Sequence, residues 1–159
     1  MSFLKKPASE NLSSGDLYFA SSVLFRQVDR LARNAFKSTG LSPSLARLLL
    51  QLLNQNYHFP SFLANDLWLS RSTISRLVQK LEKKGLVQNI HYENLAEVLP
   101  TKKAWELEPL LTACELDFHQ QCRHILGEEQ CDILTKILTG AADSLDQIKI
   151  SPPLNSLSE

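Results

Sequence analysis

The chain has 159 residues, 43% of them hydrophobic, with 17 Lys and Arg against 17 Asp and Glu. These values suit one globular domain with its own core, and five Gly among many Leu favour helices. The longest apolar stretch, LARLLLQLL, is broken by Arg47, and the start MSFLKKPASEN meets polar residues and Pro7 at once, so neither a membrane span nor a signal peptide is expected and the protein reads as cytoplasmic.

Residues 1–15 are polar and Ser-rich and read as a flexible arm. Asp16 is placed to cap a first helix, whose apolar residues Leu17, Ala20, Leu24, Val28, Leu31 and Ala35 recur at three or four residues as far as about Thr39, with Gly40 as terminator. Ser42 and Pro43 open a second helix, LSPSLARLLLQLLNQN, apolar almost all round and therefore the expected buried centre. Pro60 starts a short third helix, PSFLANDLWL, with Phe62, Leu63 and Leu67 available for the core. Ser70 caps a fourth helix that Gly85 ends. LVQNI and AEVLP read as two short strands with HYEN as the turn between them. Thr101 caps a long helical region in which Pro109 predicts a kink or a break near Glu108, and Gly127 separates it from a last helix running to about Ile148. The end, 149–159, reads as a flexible tail.

The neutral total hides a concentration of charge. Residues 70–85 carry Arg71, Arg76, Lys80, Lys83 and Lys84 against Glu82 alone, while 101–159 is net negative. Ile74, Leu77, Val78 and Leu81 form an apolar stripe on the fourth helix, and Thr73, Arg76, Lys80 and Lys83 form a second stripe elsewhere on the cylinder. A helix fits the major groove of duplex DNA. Ser70, Ser72 and Ser75 are small enough to let the backbone approach phosphates. Arg71, Ser72, Thr73 and Arg76 lie in the first two turns, the end that usually enters the groove, while Gln79, Lys80, Lys83 and Lys84 lie further along and suit phosphates. A solvated surface face is the plainer reading of any basic amphipathic helix. The position between a short helix and a hairpin, and the near absence of acids, favour DNA.

The phrases STGLSPSLARLLLQLL and FLANDLWLSRSTISRLVQKLEKKGLV resemble the MarR family of winged helix-turn-helix transcription regulators. LPTKKAWEL and LGEEQCDILTKIL resemble that family's entry to the fifth helix and its last helix. The resemblance covers roughly 16–148 and is strongest over 70–87. It implies a mainly α fold of about six helices and a two-stranded wing, dimerising through terminal helices. On this basis 16–40 and 101–148 are expected to be dimerisation helices and 41–100 the DNA-binding lobe. The implied function is a repressor that binds a pseudo-palindromic operator as a homodimer, its two recognition helices about 34 Å apart. The match places Ser72, Thr73 and Arg76 at bases and Arg71, Lys83 and Lys84 at or near phosphates.

The sequence departs from the family at the wing. The family wing is usually longer and carries an arginine near its tip. Here it has no Lys or Arg, has Glu93 and Glu97, and offers only His91 and Tyr92 near the tip, so it should add little affinity or oppose binding. That motivates an alternative: a winged-helix protein–protein module or antirepressor that has lost DNA binding. Many family members sense small phenolic or lipophilic molecules, and Trp105, Phe25, Phe36, His58 and Tyr57 are the candidates to line an effector pocket, although aromatics at helical spacing are more often plain core. Cys114, Cys122 and Cys131 read as buried free thiols in acidic or apolar surroundings that raise a thiol's pKa, which argues against a redox sensor. His119 and Cys122 could share a helix face, but His124 and Cys114 point elsewhere, so no metal or other cofactor is expected; zinc would be the metal to test. No Gly-rich phosphate loop or GxSxG nucleophile motif occurs, and nothing points to an enzyme.

Overall fold

The computed structural model describes residues 16–55, 59–92 and 95–147. The arm 1–15, Tyr57, His58, Glu93, Asn94, Ile148 and the tail 149–159 lie outside the described residues. The chain divides into two compact units, Met1–Phe118 and His119–Glu159.

In the first unit, helix α1 spans Leu17–Ala35, and Asp16 accepts the Phe19 amide at 2.9 Å. The α-helix stops four residues before the expected Thr39. Lys37–Thr39 instead form a 3₁₀ turn into Gly40, because the Thr39 hydroxyl donates to the Phe36 carbonyl at 2.7 Å and accepts the Leu41 amide at 3.1 Å. These bonds give the chain end a local alternative to another helical turn.

Helix α2, Pro43–Asn54, starts on the Ser42 cap and is the buried centre as expected, with Leu48, Leu49 and Leu52 fully enclosed and Arg47 exposed. Helix α3, Pro60–Asp66, buries Leu63 and Ala64. Phe62, expected in the core, is 51% exposed and sits tilted against Phe59 at 6.1 Å. On so short a helix, facing Leu63, Ala64 and Leu67 inward turns position 62 out. Helix α4, Arg71–Lys83, buries Ile74, Val78 and Leu81 against α2 and α3.

Strands β1, Val87–Tyr92, and β2, Leu95–Pro100, pair antiparallel from Val87↔Pro100 to Tyr92↔Leu95. His91 and Tyr92, expected in the turn, are therefore strand residues. Val87 and Val98 anchor the base of the hairpin in the core. Thr101 ties the hairpin to the next helix: its hydroxyl donates to the Gly85 carbonyl at 2.8 Å and accepts the Ala104 amide at 3.4 Å.

Helix α5, Lys102–Leu126, continues through Pro109, so there is no break at Glu108. Proline removes one ladder bond here, and both Pro109 and Trp105, the residue four earlier whose carbonyl loses that bond, are exposed. In the first unit α5 buries Ala104, Leu111 and Cys114.

The second unit contains the end of α5, Gly127 and helix α6, Glu128–Asp146. Arg123 and Asp132 clip the two helices with a 2.8 Å ion pair. No residue of α6 is buried, and Ile133, Ile137, Leu138 and Leu145 lie exposed. Among the described residues no helix is long and apolar enough to cross a membrane.

Candidate nucleic-acid interface

The site is built from Ser70 onward. Its side chain accepts the Thr73 amide at 3.1 Å and caps α4, satisfying one amide the helix cannot pair internally. The same Oγ lies 3.0 Å from Ser72 Oγ and 2.8 Å from Thr73 Oγ1. Thr73 is half-buried and its hydroxyl is engaged in this cap, whereas Ser72 is exposed.

Ile74, Val78 and Leu81 fix which way the rod faces. At 100° per residue, Ser72, Arg76, Gln79 and Lys83 point opposite to them. Thr73 and Lys80 stand on one flank, Arg71 and Ser75 on the other. The outermost line is thus Ser72–Arg76–Gln79–Lys83 rather than Thr73–Arg76–Lys80–Lys83. All ten candidates, from Ser70 to Lys84, lie on one short element, and all but Thr73 are exposed.

Lys84 is the C-cap residue. Its Nζ reaches back to the Gly40 carbonyl at 3.4 Å, which draws it across the helix end. Lys103, which sequence reasoning missed, donates to the Lys84 carbonyl at 2.8 Å and caps α4 from α5. The only clue to it was the Lys102–Lys103 pair after Thr101.

The electrostatics are one-sided. Among the described residues, Arg71, Arg76, Lys80, Lys83 and Lys84 form no ion pair. Glu82, the single acid of the helix, accepts the Asn89 amide of β1 at 3.4 Å and so turns toward the hairpin. The exposed cationic line is left uncompensated.

Both ends of the turn-and-helix unit close with the same device. After α4, Gly85 (φ +69°) donates to the Glu82 carbonyl and Leu86 to that of Leu81. After α3, Trp68 donates to the Asn65 carbonyl and Leu69 to that of Ala64. Trp68 therefore takes the left-handed position (φ +55°) that glycine usually fills, and its ring is 57% exposed. Composition and periodicity give no signal for this.

The other candidates separate. Phe36 belongs to the core, while Phe25 and Trp105 stand more than half exposed, so these rings do not wall an enclosed cavity within one subunit. Cys114 is buried and lies 3.4 Å from the Ser38 hydroxyl. Cys122 and Cys131 are half-buried, and burial first, then the neighbouring Cys131, pushes the Cys122 thiol up. Among the described residues no three His, Cys, Asp or Glu side chains gather as a metal site.

Short helix, tight turn, basic outward-facing helix and two-stranded hairpin define a winged helix-turn-helix protein. Residues 41–94 match the family model described as MarR family, and the chain carries the fold seen in MarR proteins. No curated protein matches the chain. Among solved structures, a MarR-family transcriptional regulator from Listeria monocytogenes complexed with 26mer DNA is 22% identical, with 82% of this chain and 89% of that chain covered at a TM-score of 0.66. The S. aureus MepR–DNA complex is 17% identical over 80% and 97%, at 0.69. CouR from Rhodococcus jostii RHA1 bound to p-coumaroyl-CoA is 20% identical over 87% and 97%, at 0.65.

Proposed function

We propose that the protein is a cytoplasmic, homodimeric transcription regulator that binds a pseudo-palindromic operator through α4 and represses from it. The observation that carries this reading is the exposed, unpaired cationic line of α4 beside a fixed hydroxyl cap. Ser72 and Arg76 are the base readers on the outermost line, with Thr73 beside them holding the cap. Arg71, Gln79, Lys80, Lys83 and Lys84 serve phosphates, and Ser70 and Ser75 allow close approach. Two of the similar structures hold DNA, and one holds a small acyl thioester, so an effector belongs to the reading.

The homodimer accounts for large apolar side chains left in solvent on two helices. In the first unit α1 exposes Leu17, Phe25 and Val28, and in the second α6 exposes Ile133, Ile137 and Leu145. Surfaces of that kind mark association. The terminal helices over 16–40 and 101–148 are assigned to it, and 41–100 to DNA.

The test is Arg76→Ala against a duplex enriched from a random pool, read by fluorescence anisotropy. Losing a bidentate base contact weakens binding by about 5- to 150-fold and relaxes base preference there. Unchanged affinity overturns the assignment. The cation-free wing favours a second reading, a winged-helix protein-interaction module or antirepressor. Passage through heparin and random duplex at low salt without retention, with a partner protein co-purifying, selects that reading.

A further inference from the structure

The turn between α3 and α4 presents a tryptophan to solvent. Among the described residues Trp68 is the one non-glycine residue with a positive φ, +55°. A bulky side chain is strained in that region, which glycine fills at least cost. The fold recovers little of the cost from the ring, which is 57% exposed. Its two neighbours do the opposite: Leu67 and Leu69 are half-buried and pack against the core. The backbone is fixed on both sides, since Trp68 donates to the Asn65 carbonyl at 3.2 Å and Leu69 to that of Ala64 at 2.9 Å. The indole is thus held outward on a rigid turn. Ser70, the hydroxyl cap of α4, follows two residues on, at most about 7 Å along the chain, and exposed Arg71 is next. The nearest acid in sequence, Asp66, accepts the Gln51 side-chain amide at 3.2 Å and is drawn to α2. Backbone strain that packing does not repay points to function.

We propose that Trp68 is a duplex contact: its Nε1–H donates to a backbone phosphate beside the groove that α4 enters, and its ring lies on the adjoining deoxyribose. An indole offers one donor and no acceptor, so an anionic oxygen suits it, and its apolar plane suits sugar C–H groups. Contacts of this kind fix register on the duplex and carry no base preference. The inference rests on the proposed DNA-binding role of α4 and adds a neutral anchor to its cations. Such an anchor offsets part of what the wing, without Lys or Arg, leaves out.

Trp68 and Trp105 are the only tryptophans, so Trp105→Phe leaves Trp68 as the sole reporter in the full chain. In that background a saturating duplex, enriched from a random pool, lowers acrylamide quenching of Trp68 and shifts its emission to the blue. By anisotropy, Trp68→Gly, which keeps the backbone conformation, weakens enriched and random duplex alike by about tenfold; Trp68→Phe, which keeps an apolar plane and loses the donor, weakens both by about threefold. Arg76→Ala, in contrast, relaxes base preference. Because Trp68 is uncharged, both of its variants keep the wild-type slope of log Kd against log salt. A purely structural role would displace α4 with its cations and flatten that slope. A bound duplex that leaves Trp68 open to acrylamide, or wild-type affinity in Trp68→Gly or Trp68→Phe, overturns the contact and leaves the DNA reading standing. Weakened binding with a flattened slope overturns it in favour of a turn that only positions α4. A wild-type chain that ignores duplex at low salt overturns the DNA reading and this contact with it.

Discussion

Replacing Ser70 by Ala and by Asp separates folding from DNA binding at the start of α4. The Ser70 hydroxyl holds the Thr73 amide at 3.1 Å on an exposed first turn, and water can replace part of what is lost. Ser70→Ala therefore costs about 1 kcal/mol, the usual worth of an N-cap. For a chain of this size that lowers Tm by about 2–4 °C. Ser70→Asp restores the acceptor and adds a charge that the helix dipole favours by about 0.3–1 kcal/mol, so its Tm equals or exceeds wild type. DNA binding moves the other way. A carboxylate roughly 5 Å from a backbone phosphate costs about 1–3 kcal/mol at effective dielectrics between water and the protein surface, or about 5- to 150-fold in Kd. The penalty shrinks as salt is added. Melting followed by circular dichroism gives the first quantity, and anisotropy of a labelled duplex at two salt concentrations gives the second. An Asp variant that folds normally and binds duplex as tightly as wild type refutes the claim that this end of α4 faces phosphate.

Trp68→Gly melts about 2–4 °C above Trp68→Ala, since both lose the ring and only Gly takes the φ of +55° without a left-handed penalty of about 1 kcal/mol; equal melting of the two contradicts that backbone assignment. Phe25→Lys and Ile137→Lys, both exposed in the subunit, leave its melting largely intact and shift sedimentation toward monomer; a dimer that survives both places its interface elsewhere. Cys122 holds its proton above the ordinary thiol range because it is partly buried. Iodoacetamide therefore modifies it slowly at neutral pH, and a free-thiol rate there contradicts the shift. With the folded pKa raised, the associated stability is complete below the unfolded value and is lost as pH climbs through the folded one, so Cys122→Ser shows a smaller alkaline fall in Tm.

What was legible in the sequence is what is local. Asp16, Ser42, Ser70 and Thr101 each accept a backbone amide three residues on, because a cap depends on one side chain and one turn of chain. The buried α2 and the inward stripe of α4 came from periodicity for the same reason. Periodicity does not fix phase on a two-turn helix, hence Phe62. Nor does it say whether solvent can stand in for a missing hydrogen bond, hence the unbroken α5 at Pro109. At the site, residue types and position along the chain were readable, but the outermost line was not. The engagement of Thr73 in the cap, the turn of Glu82 toward Asn89 and the arrival of Lys103 depend on partners 3, 7 and 19 residues away.

The ion pairs among the described residues lie off α4. Arg33 meets Asp29, Arg123 meets Asp132 and Lys102 approaches Glu106. On α4 five cations go without an ion-pair partner among the described residues and the single acid turns to Asn89, an arrangement that adds self-repulsion. The proposed polyanion, duplex DNA, relieves that repulsion. Yet the wing has no cation to add, so one subunit offers that polyanion a single helix. Phosphate neutralisation grows with the number of contacts, and one short helix makes few. In the proposed homodimer two copies of α4 are held together, and the exposed apolar faces of α1 and α6 then serve DNA binding as the cations do.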